Sequence, residues 1–129
     1  MITVKKIMTP NVYSLSPDTT IRKASKLMKE KNIGSLYIKE NDKLIGVVTE
    51  TDIVRKGVAD NIDMDLASLG DIMSSPVYTI DINKTVTEAN EMMDKHKVRH
   101  LAVKEGENIV GVISARDLLH PIYLDGEGW

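Results

Sequence analysis

The chain has 129 residues, of which 42% are hydrophobic and 28% charged, enough for one compact domain or two small interdependent units but not for several domains. Its 17 basic and 19 acidic residues give a net charge of −2, so no overall positive field would attract nucleic acid. The absence of cysteine excludes disulfides, thiolate metal sites and cysteine nucleophiles. No signal-like start and no apolar run of about 18 residues is present, and we therefore predict a soluble, cytoplasmic protein without membrane contact.

An internal repeat organises the chain. Shifting the sequence by 65 residues aligns residues 7–55 with 72–120 without a gap, and 13 of the 49 pairs are identical. Chance at ordinary composition gives about 3 such identities. Two copies of one structural unit follow, and the identical pairs include Ile7/Ile72, Met8/Met73, Gly46/Gly111 and Asp52/Asp117.

Each copy predicts the same order of elements. A short strand over 12–15 or 77–80 comes first, then a helix whose apolar positions repeat at helical spacing and whose start is capped from the stretch Ser16-Pro17-Asp18. Two strands joined by the polar turn Glu40-Asn41-Asp42 follow, and Thr49 or Ser114 starts a second, short helix.

These elements predict an α/β (α+β) fold built from a tandem pair of β-α-β-β-α motifs packed as one pseudo-two-fold module. Neither copy buries its sheet well alone. We place motif 1 at 7–58, a partly ordered linker at 59–70, motif 2 at 71–122 and a mobile C-terminal tail at 123–129.

The sharpest motif joins a strand to a helix start in both copies: Gly46-Val-Val-Thr49-Glu-Thr51-Asp52 and Gly111-Val-Ile-Ser114-Ala-Arg116-Asp117. Free N–H groups at a helix start favour an anion, and the Asp could accept hydrogen bonds from sugar hydroxyls. Thr-x-x-Asp and Ser-x-x-Asp are also typical of capping boxes that only satisfy the helix. The spacing of the Thr or Ser and the Asp, taken alone, favours this capping role over ligand binding.

The duplicated unit ending in Gly-x-x-Thr/Ser-x-x-Asp resembles the cystathionine-β-synthase (CBS) domain, over roughly Val4 to His120 and including the opening Ile7-Met8-Thr9-Pro10. Two such motifs form a Bateman module. The resemblance implies a stand-alone regulatory protein without catalysis, whose cleft between the motifs takes AMP, ADP, ATP or S-adenosylmethionine as a regulatory ligand and requires no cofactor. It also implies a homodimer and a regulated partner protein of unknown identity.

The resemblance carries over residue by residue to two pockets. In relatives the Asp holds the ribose hydroxyls, the Thr or Ser three residues earlier adds polar contacts, and the opening segment of the other motif completes the pocket. One pocket would combine Asp117, Ser114, Arg116, Arg99 and His100 with Thr9 and Val12. The other would combine Asp52, Thr49, Thr51, Gly34 and Ser35 with Ser74 and Val77.

The copies differ in charge, because Gly34/Arg99, Ser35/His100 and Thr51/Arg116 place two Arg and one His in the second pocket only. We predict that this pocket is the stronger phosphate site, since Arg offers forked donors to phosphate oxygens. The first pocket has Arg55 as a candidate substitute and room for a less charged adenosine ligand. The alternative is that Arg99 and Arg116 form surface ion pairs with Glu50 or Glu105.

Other chemistry finds little support. We predict no metal at His96, His100 and His120: His96 and His100 are four residues apart, but His100 falls where the chain turns toward a strand, and no third ligand presents itself. The sequence has no Gly-x-Ser-x-Gly elbow and no Walker-type glycine loop, which argues against an enzyme. The remaining alternative to an adenosine sensor is a protein or nucleic-acid interaction scaffold with unoccupied pockets, although the acidic net charge argues against nucleic acid.

Overall fold

The structure, a computed structural model, describes residues 1–119. The tail at 123–129, His120 and the residues between them lie outside the described part. The elements, in chain order, are helix α1 (Val4–Ile7), strand β1 (Ser14–Leu15), helix α2 (Ile21–Lys31), strands β2 (Ser35–Glu40) and β3 (Lys43–Thr49), helix α3 (Glu50–Asp52), a π-helix (Ile53–Val58), helix α4 (Leu69–Ile72), strand β4 (Thr79–Asp81), helix α5 (Val86–His96), strands β5 (His100–Glu105) and β6 (Asn108–Ser114), and a 3₁₀ helix (Arg116–Leu119).

The chain forms two compact units that do not coincide with the two sequence copies. Of the described residues, unit 1 contains Met1–Val12 and 78–119, and unit 2 contains Tyr13–Val77. The opening segment of each copy therefore lies in the unit that holds the strands of the other copy.

Each unit has one three-stranded sheet of the same topology. In unit 2, β1 pairs parallel with β2, and β2 pairs antiparallel with β3. In unit 1, β4, β5 and β6 repeat that order and those directions. The turn between β2 and β3 consists of Asn41 and Asp42, both at positive φ, as the twist of a two-residue hairpin requires. The predicted mixed α/β fold with a helix between strand one and the hairpin is confirmed.

Aliphatic side chains fill a separate core in each unit. In unit 2 the buried set comes from α2, β2, β3 and α4: Ile21, Ala24, Met28, Leu36, Ile38, Val48, Leu69 and Ile72. In unit 1 it comes from the matching elements α5, β5, β6 and α1, and also from β4 and the residue after it: Val4, Ile7, Ile80, Ile82, Ala89, Met93, Leu101, Val103 and Ile113. α4 in unit 2 and α1 in unit 1 are the opening segments, and each completes the core of the unit it joins.

Two details of the helices differ from the sequence expectation. The N-cap of α2 is Thr20, whose side chain accepts from the Lys23 N–H, and not a residue of the stretch 16–18. The reason is a turn in which the Thr19 N–H donates to the Ser16 carbonyl, so the chain becomes helical only after Thr20. The first strands are also shorter than predicted, because pairing with the hairpin begins at Ser14 in unit 2 and at Thr79 in unit 1.

The connection between the π-helix and α4 consists of turns and runs beside the start of α2. The Ile21 N–H donates to the Ala67 carbonyl, and the Arg22 N–H donates to the Met64 carbonyl. Arg22 Nε also donates to Asp65 Oδ1 at 3.0 Å, and this contact lowers the pKa of the Asp65 carboxyl. Within residues 1–119, no helix is long and apolar enough to cross a membrane.

Candidate functional site

The junction between β3 and α3 in unit 2 is a complete capping box. Thr49 N–H donates to Asp52 Oδ2 at 3.0 Å, and the Asp52 N–H donates to Thr49 Oγ1 at 3.2 Å. The Thr49 hydroxyl also donates to Asp52 Oδ2, at 3.1 Å. Asp52 is therefore fixed at the helix start, with Oδ2 committed to the backbone and hydroxyl of Thr49.

The junction after β6 in unit 1 has the same reciprocal arrangement. The Ser114 N–H donates to Asp117 Oδ2 at 2.9 Å, and the Asp117 N–H donates to Ser114 Oγ at 3.3 Å. The capping role that the spacing favours is thus present in both copies. The cap uses one carboxylate oxygen of each Asp, Oδ2. The partners of the other oxygen, Oδ1, depend on the neighbouring residues of each unit.

A crossing segment brings the opening residues of one copy beside the last strand of the other. In unit 1, Thr9 and Val112 exchange two backbone hydrogen bonds of 2.9 Å. In unit 2, Ser74 and Val47 exchange the same two bonds, also at 2.9 Å. Thr9 therefore pairs with the residue two positions before Ser114 in β6, and Ser74 pairs with the residue two positions before Thr49 in β3.

The remaining residues of the Asp117 set also lie in unit 1. His100 is the strand partner of Ser114, and the Ala115 N–H donates to the Arg99 carbonyl at 2.8 Å. Val12 is half-buried in the same unit. The side chains of Arg99 and Arg116 are exposed, and within the described residues of unit 1 neither guanidinium forms an ion pair, so the alternative pairing with Glu105 is not present there.

The Asp52 set is assembled in unit 2 by equivalent contacts. Ser35 is the strand partner of Thr49, and the Glu50 N–H donates to the Gly34 carbonyl at 3.0 Å. A Cβ at Gly34 would be 2.6 Å from Glu50 Oε1, so the Glu50 carboxylate lies over this glycine. Thr51 is exposed and Val77 is half-buried in the same unit.

Sequence reasoning missed Lys56, which lies on the π-helix four residues after Asp52. Its Nζ is 3.3 Å from Asp52 Oδ1, and it donates to the Ile72 carbonyl at 3.2 Å and to Ser74 Oγ at 3.3 Å. Arg55, the cation predicted to serve this pocket, is exposed and makes no side-chain contact of this kind among the residues described. The four-residue spacing between Asp52 and Lys56 was a sequence signal for their ion pair. The contacts of Lys56 with Ile72 and Ser74 depend on the fold.

The histidines lie outside any cluster of metal-ligand type in the described residues. His96 stacks on Tyr78, with ring centroids 4.0 Å apart. Between residues 1 and 119, no group of three or more His, Asp or Glu side chains comes together in the way a metal ion needs. The third histidine of the prediction, His120, lies outside the described residues.

Comparison with known proteins identifies the family. The CBS domain model matches the chain twice, at residues 4–59 and 69–123. Hypoxic response protein 1 of Mycobacterium tuberculosis is 32% identical over 119 residues, which cover 92% of this chain and 83% of that protein. The structure of a Burkholderia ambifaria protein with CBS domains matches with a TM-score of 0.88 at 29% identity, covering 98% of this chain and 95% of that one.

A second solved structure contains ligands. The CBS domain pair of protein MJ0100, solved in complex with 5′-methylthioadenosine and S-adenosylmethionine, has a TM-score of 0.83 at 24% identity and covers 99% of both chains. At that identity the likeness shows the fold. Two family matches that together span most of the chain, on two units of the same topology, show that this protein belongs to the CBS domain family and carries a pair of CBS domains, a type of regulatory module.

Proposed function

We propose that the chain is a regulatory module that binds an adenosine ligand, with its principal site in unit 1. The observation that carries the proposal is the geometry of Asp117. Its Oδ2 accepts from the Ser114 N–H, whereas no donor within residues 1–119 contacts Oδ1. A carboxylate oxygen fixed in place at a helix start and open to a ligand is suited to accept hydrogen bonds from ribose hydroxyls.

The charge beside Asp117 supports a phosphate-bearing ligand. Arg99 and Arg116 expose guanidinium groups that no carboxylate of residues 1–119 neutralises. Arg presents paired donors that match phosphate oxygens, and charge-assisted hydrogen bonds are about twice as strong as neutral ones. AMP, ADP or ATP therefore suits this site better than uncharged adenosine. The Ser114 hydroxyl and Thr9, on the adjacent segment, supply further polar groups.

The ligand class is supported by two lines of argument. A CBS pair of the same fold, that of MJ0100, binds 5′-methylthioadenosine and S-adenosylmethionine, both built on adenosine. In this chain, the two residue sets derived from the resemblance each lie within one unit, and backbone hydrogen bonds of Thr9 and Arg99 in one set and of Gly34 and Ser74 in the other hold these residues beside the strand ends. The matching set in unit 2 is a second and weaker candidate site.

The module acts by binding and not by catalysis. A ligand that binds one conformation more tightly shifts the population toward it, and by linkage changes the affinity for a partner protein by the same factor. The regulated partner is a separate protein of unknown identity. A homodimer is part of the proposal, and the exposed Val54 and Val58, 58% and 60% accessible on the π-helix, are apolar surface for such a contact.

Thermal unfolding with a panel of ligands tests the proposal. Wild type, Asp117→Ala and Asp52→Ala are heated with AMP, ADP, ATP, adenosine, S-adenosylmethionine and GTP. A ligand at a hundred times its Kd adds about 2.7 kcal/mol of stability. We expect stabilisation of wild type and of Asp52→Ala by adenine nucleotides, and none for Asp117→Ala. If no ligand stabilises well-folded wild type, the chain is an interaction scaffold whose capping boxes only cap helices.

A further inference from the structure

Lys56 is fully engaged by acceptors of its own unit. An ammonium group has three N–H donors. Its Nζ has three acceptors within 3.3 Å, namely the Ile72 carbonyl, Ser74 Oγ and Asp52 Oδ1. The ammonium therefore has no donor left for a ligand unless one of these contacts breaks.

The same contact changes what Asp52 can do. Its Oδ2 accepts from Thr49 and its Oδ1 faces the Lys56 ammonium, so both oxygens are used, and the Asp52 side chain is only 13% exposed. In unit 1, Asp117 Oδ1 has no hydrogen bond or ion pair within residues 1–119. The sequence position that corresponds to Lys56 is Pro121, whose side chain carries no donor. The two carboxylates, alike in sequence and capping, thus differ in the oxygen available to a ribose.

A second charged group in unit 2, the Glu50 carboxylate, also disfavours nucleotide binding there. The Glu50 carboxylate lies over Gly34, whereas the corresponding positions in unit 1 are Ala115 and Arg99. A carboxylate over position 34 repels phosphate, whereas the Arg at the corresponding position 99 attracts it. Unit 2 is therefore poor in open donors for phosphate as well as in open acceptors for ribose.

We propose that Lys56 is the specificity-determining residue of unit 2, whose ammonium competes with ribose hydroxyls for Asp52 Oδ1 and so makes the unit 1 site fill first. The inference rests on the proposed function, because it assumes that Asp117 and Asp52 receive the same ribose. The Lys56 side chain is 46% exposed, so we expect its substitution to release Asp52 Oδ1 without the loss of the fold.

Calorimetric titration with adenosine tests the inference, since adenosine has the ribose and lacks the phosphates that Glu50 would repel. The variants are Lys56→Gln, which keeps an amide donor for the Ile72 carbonyl, Lys56→Met, which keeps none, and Lys56→Arg, which keeps the charge. Arg55→Met is the matched control, because it removes the same charge from an exposed neighbour. Thermal unfolding of each variant without ligand checks that it is folded.

Wild type, Lys56→Arg and Arg55→Met are expected to bind one adenosine per chain, and Lys56→Gln and Lys56→Met two. The second adenosine should bind to Lys56→Gln and Lys56→Met at least about tenfold more tightly than any second adenosine binds to wild type. The reason is that hydrogen bonds to the charged Asp52 oxygen become available. Adding Asp52→Asn to Lys56→Gln should remove the second event alone.

The two proposals fail in different ways. If wild type binds one adenosine through Asp117 and both neutral Lys56 variants bind no more, the inference about Lys56 is overturned and the proposed function stands. If wild type binds none and Lys56→Gln gains one Asp52-dependent site, the unit 1 assignment and the order of filling are overturned, and only the competition between Lys56 and ribose for Asp52 Oδ1 stands. If no variant binds adenosine, both are overturned.

Discussion

Gly111 lies directly against Thr9, so that a Cβ at position 111 would be 2.9 Å from the Thr9 carbonyl oxygen and 2.7 Å from the sulfur of Met8. Gly46 has the same relationship to Ser74, with a Cβ at 3.1 Å from its carbonyl oxygen and 2.6 Å from the sulfur of Met73. The opening segment can pair with the last strand because the strand has no side chain at this point. This contact brings Thr9 to the end of β6 near Ser114 and Asp117.

Replacing Gly111 by Ala is therefore expected to destabilise unit 1 by about 1–3 kcal/mol, the usual cost of forcing extra volume into a packed site. The obstacle is partly backbone and cannot rotate away. Gly70→Ala is the control, because its Cβ would meet nothing closer than 3.4 Å and it lies in a helix, where Ala is favoured. Urea unfolding measures both, and equal stability changes in the two variants would refute the steric argument.

Burial raises the pKa of the Tyr37 phenol above its ordinary value of about 10. As the pH rises through that value, the unfolded chain loses the proton while the folded chain keeps it. The folded state then binds more protons, and the free energy of unfolding falls with increasing pH. Tyr37→Phe keeps the ring and removes the titrating group, so its free energy of unfolding should fall less between pH 8 and 10.5.

Tyr13→Phe, at a half-buried ring of the same unit, is the comparison for Tyr37→Phe. Chemical denaturation at the two pH values gives the slopes. A slope for Tyr37→Phe as steep as that of wild type would exclude Tyr37 as a cause of alkaline destabilisation.

Thr85 caps α5 through a reciprocal pair of bonds. Its Oγ1 accepts from the Glu88 N–H at 3.1 Å, and Glu88 Oε1 accepts from the Thr85 N–H at 3.3 Å. Thr85→Ala should cost about 1 kcal/mol of stability. Thr20→Ala should cost less, because Thr20 caps α2 with Lys23 at the third helical position, where no side-chain acceptor returns the bond. A larger loss for Thr20→Ala in thermal unfolding would contradict this reading.

The sequence predicted the elements of each unit well, because their signals are local. Apolar spacing located α2 and α5, the Asn41-Asp42 turn located the first hairpin, and Thr49-x-x-Asp52 located a capped helix start. The cap of α2 was misplaced by sequence since Ser16 and Thr20 both have capping side chains, and only the turn at 16–19 decides between them.

The contacts that distinguish the two candidate sites are less accessible to sequence reasoning. Lys56 reaches Ile72 and Ser74, residues 16 and 18 positions later, only after the chain has passed through the turns before α4. Its nearest cationic neighbour, Arg55, has equal charge and points to no such partner. Sequence reasoning chose Arg55, three residues after Asp52, because nothing local shows that Lys56, four residues after it, is the cation that meets Asp52.

Arg116 is predicted to contribute to phosphate affinity and not to recognition of the nucleoside. Arg116→Met should weaken ATP binding about tenfold, the equivalent of one charge-assisted hydrogen bond, and leave adenosine binding within about twofold. Arg55→Met removes the same charge from unit 2 and serves as control. Calorimetry with ATP and adenosine separates the effects, and equal weakening of both ligands by Arg116→Met would show that Arg116 supports the fold of the site instead.

The most direct test of the central claim is calorimetric titration of ATP into wild type, Asp117→Asn and Asp52→Asn. Asn keeps the size of the side chain and an oxygen for the cap, and removes the charge that ribose hydroxyls would meet. The account predicts tight binding to wild type, nearly unchanged binding to Asp52→Asn, and at least about tenfold weaker binding to Asp117→Asn. Full ATP affinity in folded Asp117→Asn would contradict it.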